Sequence, residues 1–313
     1  MTNPQVQPLD PRPLVTVALP VFNGGAVLEA SVRSVVNQTL TDWELLILDD
    51  GSTDGAIDHL PFLADSRIIV VRDGSNRGLS WRLNQAVALA RGRYFARMDH
   101  DDLCHPQRFA RQVGFLDAHS EVDLLAVECI TMNESERLNG TLPAATDHES
   151  ICCRPWQGFP MPHPTWMGRI EWFRQNPYKV PAPYCCEDQE LLLRAYRHSC
   201  YHTLPEYLLA YRVRTYTPWR KLWLTRLTML KMQFSYFFSH GDWGSVALSM
   251  GITVARIGRD GWRGLRHRLV PTADVQWGKM AAPEELVYWN ALIESIKMAG
   301  GEADDAKETD GKH

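Results

Sequence analysis

Short apolar runs alternate with amphipathic segments along the first third of the chain. Short apolar runs lie at 14–19, 43–48 and 67–71, the first of them rich in β-branched residues, and each suits a buried strand of a parallel sheet. Between them, apolar residues recur at helical spacing over 26–38 and 80–90. This alternation, with its short connections, predicts a doubly wound α/β sheet flanked by helices.

The fourth predicted strand, at 92–96, is followed by three carboxylates within four residues, Asp99, Asp101 and Asp102. Carboxylates this close repel one another, so they need a cation, hydrogen bonds or open water to stay ionised together. A strand end with such a cluster suits a hard metal that prefers oxygen ligands, which favours Mg²⁺ or Mn²⁺ over zinc. The alternative is a solvated loop or a helix N-cap, because Asp102 lies four residues before Pro106.

A second acidic loop, which contains Asp50, follows the strand at 43–48, and the first strand leads into the glycine-containing segment 20–25. In an open parallel sheet, ligands bind beyond the carboxyl ends of the strands, so these loops and the acid cluster should meet at one edge. There Asp50 could accept a hydrogen bond from a base, Phe22 could contact that base, and Arg77 could stack or bind phosphate. Each also has an ordinary alternative, as a turn residue, a core side chain and a surface cation.

The periodic pattern continues for one helix and one strand beyond the acid cluster and then weakens. A helix is predicted over 106–118 and a strand over 122–129. Residues 133–161 gather polar and helix-breaking residues, which indicates loops that contribute to substrate binding. Residues 163–167 are strand-like, and another helix begins at Glu187.

Glu187 and Asp188 place two acids at the start of that last helix. A carboxylate there that faces the cleft could deprotonate an acceptor hydroxyl while a metal-held diphosphate leaves from the opposite face of a sugar. The ordinary alternative is that the acids only complement the positive end of the helix dipole.

Composition limits the class of protein. The 313 residues carry a net charge of -4, which gives no support to nucleic-acid binding. Seven cysteines without a C-x-x-C motif indicate reduced thiols and a cytoplasmic location. The polar, proline-rich residues 1–13 lack the features of a secretory signal, and no uninterrupted apolar stretch is long enough to predict a membrane-spanning helix.

The last hundred residues differ in character from the rest. Residues 211–270 contain eleven Lys/Arg against two Asp/Glu, interleaved with tryptophans and phenylalanines. Basic helices with a row of aromatics are typical of peripheral binding to an anionic membrane surface, here the inner face of the cytoplasmic membrane. The alternative is ordinary helices that pack on the core and expose a basic face. From residue 303 the composition is acidic and small, which predicts disorder.

Several motifs together resemble the inverting glycosyltransferases of family 2, which have the GT-A fold, and in particular the bacterial members that build capsule, exopolysaccharide or lipopolysaccharide. The resemblance covers residues 15–214. The motifs occur in the family's order and approximate spacing, and they are Pro20-Val21-Phe22-Asn23, Asp49-Asp50-Gly51-Ser52-Thr53-Asp54, Asn76-Arg77-Gly78-Leu79-Ser80, Arg97-Met98-Asp99-His100-Asp101-Asp102 and Glu187-Asp188.

The resemblance implies a role for each matched position. Asp99 and Asp101 fall on the DXD motif, with Asp101 the direct metal ligand and Asp99 nearer the ribose or sugar, and Asp188 falls on the catalytic base. Phe22 stands where tyrosine is usual, and His100 stands where a small residue is usual. The remaining positions fall where the family holds the nucleotide and sugar, and they are Pro20, Phe22, Asn23, Asp50, Arg77, His163 and Glu187.

These observations predict a GT-A catalytic domain at 14–214, between a flexible N-terminus at 1–13 and a helical, membrane-associating region at 215–300, with a disordered tail at 301–313. The predicted reaction is a metal-dependent transfer of a sugar, with inversion, from a nucleotide diphosphate sugar (UDP-sugar favoured) to a saccharide or lipid-linked saccharide hydroxyl.

Two other functions stay open. A nucleotidyltransferase would need a lysine after a glycine-rich loop, whereas Asn23-Gly24-Gly25 is followed by Ala26-Val27. A non-catalytic nucleotide-binding assembly subunit at the membrane would have no use for Asp188.

Overall fold

The computed structural model describes residues 12–214, 217–269 and 278–310. Its first part alternates strands and helices as predicted. Every residue of the first two strands is buried, because helices cover both faces of this parallel half of the sheet. The elements are β1 (Val15–Val21), α1 (Val27–Val36), β2 (Trp43–Asp49), β3 (Ile68–Arg72), α2 (Leu79–Leu89) and β4 (Tyr94–Arg97).

The second part is more irregular than the first. Residues 133–161, expected to be loops, also contain a short strand and a short helix. Residues 163–165 form a 3-10 turn rather than a strand, because Pro162 and Pro164 supply no backbone N–H for a ladder. The elements are β5 (Leu103–Cys104), α3 (Arg108–Ala118), β6 (Leu124–Met132), β7 (Leu138–Thr141), α4 (His148–Cys152), β8 (Met167–Arg169), α5 (Ile170–Gln175), α6 (Glu187–Ala195) and β9 (Tyr201–Arg212).

The strands form a single sheet in the order β3-β2-β1-β4-β8-β6-β9-β5, with β7 paired to β6. The pairs among β1 to β4 are parallel, whereas β8 runs antiparallel to both β4 and β6, and β9 is parallel to β6. The parallel half therefore matches the predicted doubly wound pattern, and the sheet as a whole is mixed. The α/β class predicted for the chain is confirmed.

Helices dominate the rest of the chain, in α7 (Trp219–Ser239), α8 (Trp243–Leu269) and α9 (Pro283–Asp310). We expected residues 301–313 to be disordered, but α9 continues to Asp310, since alanine, glutamate and lysine favour the helix; 311–313 lie outside the described residues. Most of the N-terminus predicted to be flexible, residues 1–11, also lies outside them. Within the described ranges, we find no helix with the length and apolar character needed to cross a membrane.

Helix α9 packs on the far half of the sheet. Trp289 and Ile293 are buried against Leu103 of β5 and Ile130 of β6, and the helix also contacts α1. Helices α7 and α8 pack against each other, and α8 contacts the 3-10 turn at Pro155–Gln157.

Candidate active site

A cleft of about 1000 Å³ opens where β4 and β9 end and α6 begins. Asp99, Asp101, His163, Glu187 and Asp188 all line it. These five residues come from three separate segments of the chain. The structure therefore brings together the acid cluster, the histidine and the two acids at the start of α6 that the sequence singled out.

Arg97 and Asp99 form a bidentate ion pair at one side of this cleft. Arg97 is 2% exposed, and its two terminal nitrogens lie 2.5 and 2.9 Å from the two carboxylate oxygens of Asp99. Burial alone would lower the pKa of Arg97, but the negative charge of Asp99 raises it. The pair fixes the orientation of Asp99 and occupies both of its oxygens, so Asp101 and Asp102 keep more capacity to bind a cation.

Carboxylate oxygens of Asp99, Asp101 and Asp102 all lie within 4.8 Å of one another. Asp102 is 1% exposed, and its Oδ2 has no hydrogen-bond partner among the residues that the structure describes. Burial and the neighbouring negative charges raise the pKa of both Asp101 and Asp102. A buried carboxylate oxygen without a partner is costly, and a hard cation would both bind it and relieve the repulsion. The residues therefore fit Mg²⁺ or Mn²⁺.

Asp102 does not cap the helix that follows the acid cluster, as the sequence suggested. That helix begins at Arg108 and has no side-chain cap. Instead, Oδ1 of Asp102 accepts a hydrogen bond of 2.8 Å from the backbone N–H of Arg212, at the end of β9. The guanidinium of Arg212 also donates from Nε to the carbonyl oxygen of Asp101, at 2.8 Å, and from Nη2 to Oε1 of Glu136, at 2.9 Å. Two hydrogen bonds thus fasten the acid loop to β9.

Glu187 and Asp188 are partly buried at the first turn of α6. Burial, and then the charge of Asp188, raise the pKa of Glu187 to about 7. Burial also raises the pKa of Asp188, although Gln189 donates a hydrogen bond of 3.2 Å to its Oδ2. A helix dipole alone would lower both pKa values, so dipole complementarity does not account for the pair. A carboxylate whose pKa is raised is a stronger proton acceptor, which suits general-base chemistry.

His163 is held inside the cleft wall. Its Nε2 lies 2.7 Å from the hydroxyl of Tyr178, and its Nδ1 lies 3.9 Å from Oε1 of Glu187. Burial, and then the positive charge of Arg97, lower the pKa of His163 well below its usual value. The ring is therefore neutral at physiological pH, and its position is set by Tyr178.

The other residues assigned to nucleotide binding lie at the same edge of the sheet but outside the lining of the cleft, and they are Pro20, Phe22, Asn23, Asp50 and Arg77. Pro20 is buried within β1, whereas Phe22 is 49% exposed just beyond it. Asn23 has a φ of +53° and accepts a hydrogen bond of 2.9 Å from the backbone N–H of Thr53, which joins the loops after β1 and β2. The exposed ring of Phe22 is therefore available to a base.

Asp50 is buried and already holds several donors. Its carboxylate accepts from the backbone N–H groups of Arg77, at 2.7 Å, and Gly78, at 3.0 Å, and from Nε of Arg82, at 2.9 Å. Gly78 has a φ of +85°, a conformation that favours glycine. The guanidinium of Arg77 points elsewhere: it bonds Asp73 and lies over Trp81.

Arg82 was missed from the sequence. It is fully buried and binds both Asp50 and Asp73, and these hydrogen bonds raise its pKa although burial opposes them. The sequence did offer one signal, because Arg82 falls on the face of α2 that is buried. An arginine rarely occupies such a position unless an acid pairs with its charge.

Comparisons with known proteins agree with this geometry. A family model described as Glycosyl transferase family 2 matches residues 16–176. The putative glycosyltransferase EpsE of Bacillus subtilis is 30% identical over 60% of this chain and 68% of its own length. An uncharacterized glycosyltransferase of Haemophilus influenzae is 27% identical over 64% of this chain and 66% of its own length. An Escherichia coli UDP-Glc:alpha-D-GlcNAc-diphosphoundecaprenol beta-1,3-glucosyltransferase, WfaP, is 33% identical over 33% of this chain and 41% of its own length.

Among solved structures, S. aureus TarS 1–349 in complex with UDP-GlcNAc superposes with a TM-score of 0.53 and 16% identity, over 70% of this chain and 66% of that one. This likeness supports the fold alone. The chain spans about two thirds of the length of TarS 1–349 and of the Haemophilus influenzae relative.

Proposed function

This chain belongs to glycosyltransferase family 2, and from that premise we propose that it transfers a sugar, with inversion, from a nucleotide diphosphate sugar to an acceptor hydroxyl during synthesis of a surface polysaccharide. One observation carries the proposal. The acid cluster at Asp99 to Asp102 and the Glu187–Asp188 pair line the same cleft, which suits a donor diphosphate near one group and an acceptor near the other.

Asp188 is the proposed general base. The acceptor oxygen attacks the anomeric carbon and forms a new bond to it, the bond from that carbon to the diphosphate oxygen breaks, and the acceptor proton passes to Asp188. The nucleoside diphosphate leaves with the electron pair. The raised pKa of the Asp188 carboxyl supports this role, because it makes the carboxylate a stronger proton acceptor.

Asp101 is the proposed direct ligand of Mn²⁺ or Mg²⁺, with Asp99 oriented by Arg97 toward the ribose or sugar. The metal, when bound, neutralises charge on the diphosphate. Two cationic side chains would also neutralise this charge, because Arg214 and Lys221 line the cleft and can pair with the leaving phosphate oxygens. The partnerless Oδ2 of Asp102 supports a cation at this position.

UDP is the favoured nucleotide, because the sequence relative WfaP is named for UDP-Glc. Phe22 would contact the base and Asp50 would accept its imide N–H through the lone pair that its present donors leave free. Pro20, Asn23 and Arg77 would shape this end of the site, while His163 and Glu187 would contact the sugar or the acceptor. The acceptor is a saccharide or a lipid-linked saccharide.

We further propose that α7 and α8 lie on an anionic membrane surface. Trp219, Trp223, Phe234, Phe238 and Trp243 are all more than a third exposed, and neighbouring rings contact one another, with Phe238 and Trp243 at 5.1 Å between centroids. An exposed aromatic row beside basic residues suits the interface of a bilayer. Flotation with phosphatidylglycerol vesicles at low salt tests this, and failure to float refutes it.

A donor screen tests the reaction. Release of nucleoside diphosphate is followed across UDP, GDP and dTDP sugars, with Mn²⁺ and with EDTA. We expect release from one UDP-sugar, dependent on Mn²⁺. An absence of release from every donor, with a saccharide acceptor mixture present, would contradict the proposed transfer and leave the nucleotidyltransferase and assembly-subunit alternatives to be tested.

A further inference from the structure

A second cavity, of about 730 Å³, adjoins the cleft and is lined by four arginines. We call it the arginine cavity. Arg154 comes from the turn after α4, Arg226 from α7, and Arg256 and Arg259 from α8. Asp188 lines both the arginine cavity and the cleft, so the two spaces meet at the proposed base.

The positive charge in the arginine cavity is only partly balanced: four arginines line it, against the carboxylate of Asp188 in the lining and that of Asp260 beside it. Asp260 lies 3.1 Å from Nε of Arg226 and 3.9 Å from Nε of Arg259, and it is shared between them. Arg256 donates to the carbonyl oxygen of Gln157, at 2.9 Å, and burial together with the charges of its neighbours lowers its pKa. Within the described residues, no carboxylate lies within 4.0 Å of Arg154. An anion bound here would relieve this repulsion.

The chemistry of the lining favours phosphate. Guanidinium groups present paired donors that match the oxygens of phosphoryl groups, and several of them around one cavity can bind a diphosphate. The donor diphosphate has a different place, because Asp99, Asp101 and Asp102 line the cleft and not the arginine cavity. A phosphoryl group in the arginine cavity therefore belongs to the other substrate.

We infer that the arginine cavity binds a phosphoryl or diphosphate group of the acceptor, and thereby directs the acceptor hydroxyl toward Asp188. This inference rests on the proposed function, since it assigns one part of its second substrate. The same chemistry is offered by a lipid-linked diphosphate and by a small soluble phosphorylated saccharide.

Calorimetric titration with two probes tests the inference, both in EDTA: inorganic pyrophosphate and farnesyl diphosphate. The variant R154Q/R259Q removes two exposed arginines from the cavity. The matched control is R93Q/R111Q, which removes two exposed arginines that each lie within 3.3 Å of a carboxylate elsewhere on the surface. We expect R154Q/R259Q to weaken pyrophosphate binding about tenfold and the control by less than about twofold.

The two probes also distinguish the sources of the phosphoryl group. Tighter binding of farnesyl diphosphate than of pyrophosphate supports a lipid-linked acceptor, and equal affinities support a soluble one, provided that R154Q/R259Q weakens both. Equal pyrophosphate affinity in R154Q/R259Q and the control overturns the inference, even if the donor screen shows transfer. The opposite result is also possible: R154Q/R259Q loses pyrophosphate binding, but the donor screen shows no nucleotide release from any donor. In that case the arginine cavity is an anion site, and only the proposed reaction is refuted.

Discussion

Replacing Arg82 by methionine keeps much of the apolar stem but removes a charge that is fully buried. In the wild type this guanidinium lies 2.9 Å from Asp50 and 2.6 Å from Asp73, and it also donates to Gln85. The substitution leaves the buried Asp50 with only the backbone donors of Arg77 and Gly78. We expect R82M to destabilise the protein and to disturb the nucleotide end of the site.

The magnitude follows from the exposure of each partner. Removing one member of a buried ion pair costs about 3–5 kcal/mol, and because Asp50 keeps its backbone donors we expect the lower value, about 3 kcal/mol. The side chain of Asp73 is 29% exposed, so water screens its pair with Arg82 and the pair adds little to the loss. The matched control is R77M: Arg77 is 46% exposed, so losing its ion pair with Asp73 and its contact with Trp81 should destabilise the protein much less than R82M does.

Urea unfolding measures the free energy of unfolding of both variants. The values can be compared when the m-values of the variants agree with that of the wild type. UDP affinity, measured by calorimetry with Mn²⁺, should fall in R82M because Asp50 loses its fixed orientation. If R77M proved as destabilising as R82M, or if R82M unfolded at the wild-type urea concentration, the assignment of Arg82 as the support of Asp50 would be refuted.

Three further predictions concern the chemistry. Asp188→Asn should reduce sugar transfer by at least about 100-fold, because it removes the proton acceptor and keeps the shape of the side chain. The affinity for UDP should stay within about twofold of the wild-type value. Near-normal turnover would exclude Asp188 as the base. Asp101→Ala should weaken UDP binding about tenfold in Mn²⁺ but little in EDTA, and equal losses in both would argue against a metal ligand. Wild-type kcat/KM should fall as the pH is lowered, because burial raises the pKa of the Asp188 carboxyl and a protonated Asp188 cannot take up the acceptor proton. Glu187→Gln should remove a titration near pH 7 from that profile, because the pKa of Glu187 itself is raised to about 7, and an unchanged profile would contradict a contribution from Glu187.

The sequence predicted best what is local or repeated. Strands β1, β2 and β4 were recognisable because a strand covered on both faces is largely apolar, and their order placed Asp50 and Asp101 at one edge. The strand β9 was missed, since Pro205 and charged residues interrupt its pattern. The hydrogen bond from Arg212 to Asp102 also could not be predicted from the sequence, because only the folded sheet brings these distant residues together. The metal, base and nucleotide roles remain predictions.

The carboxylate of Glu136 binds two cations that are far apart in the sequence: Arg212, which holds the acid loop, and Lys297 of α9. The acid cluster is thus connected, through two ion pairs, to a helix that the ribosome makes long after Asp101 and Asp102. While α9 is still being translated, Glu136 has one of its two cations and the far half of the sheet lacks its apolar cover. Arg212 therefore fastens the acid loop to β9 as soon as that half of the sheet forms, and α9 adds the second cation of Glu136 and the apolar cover afterwards.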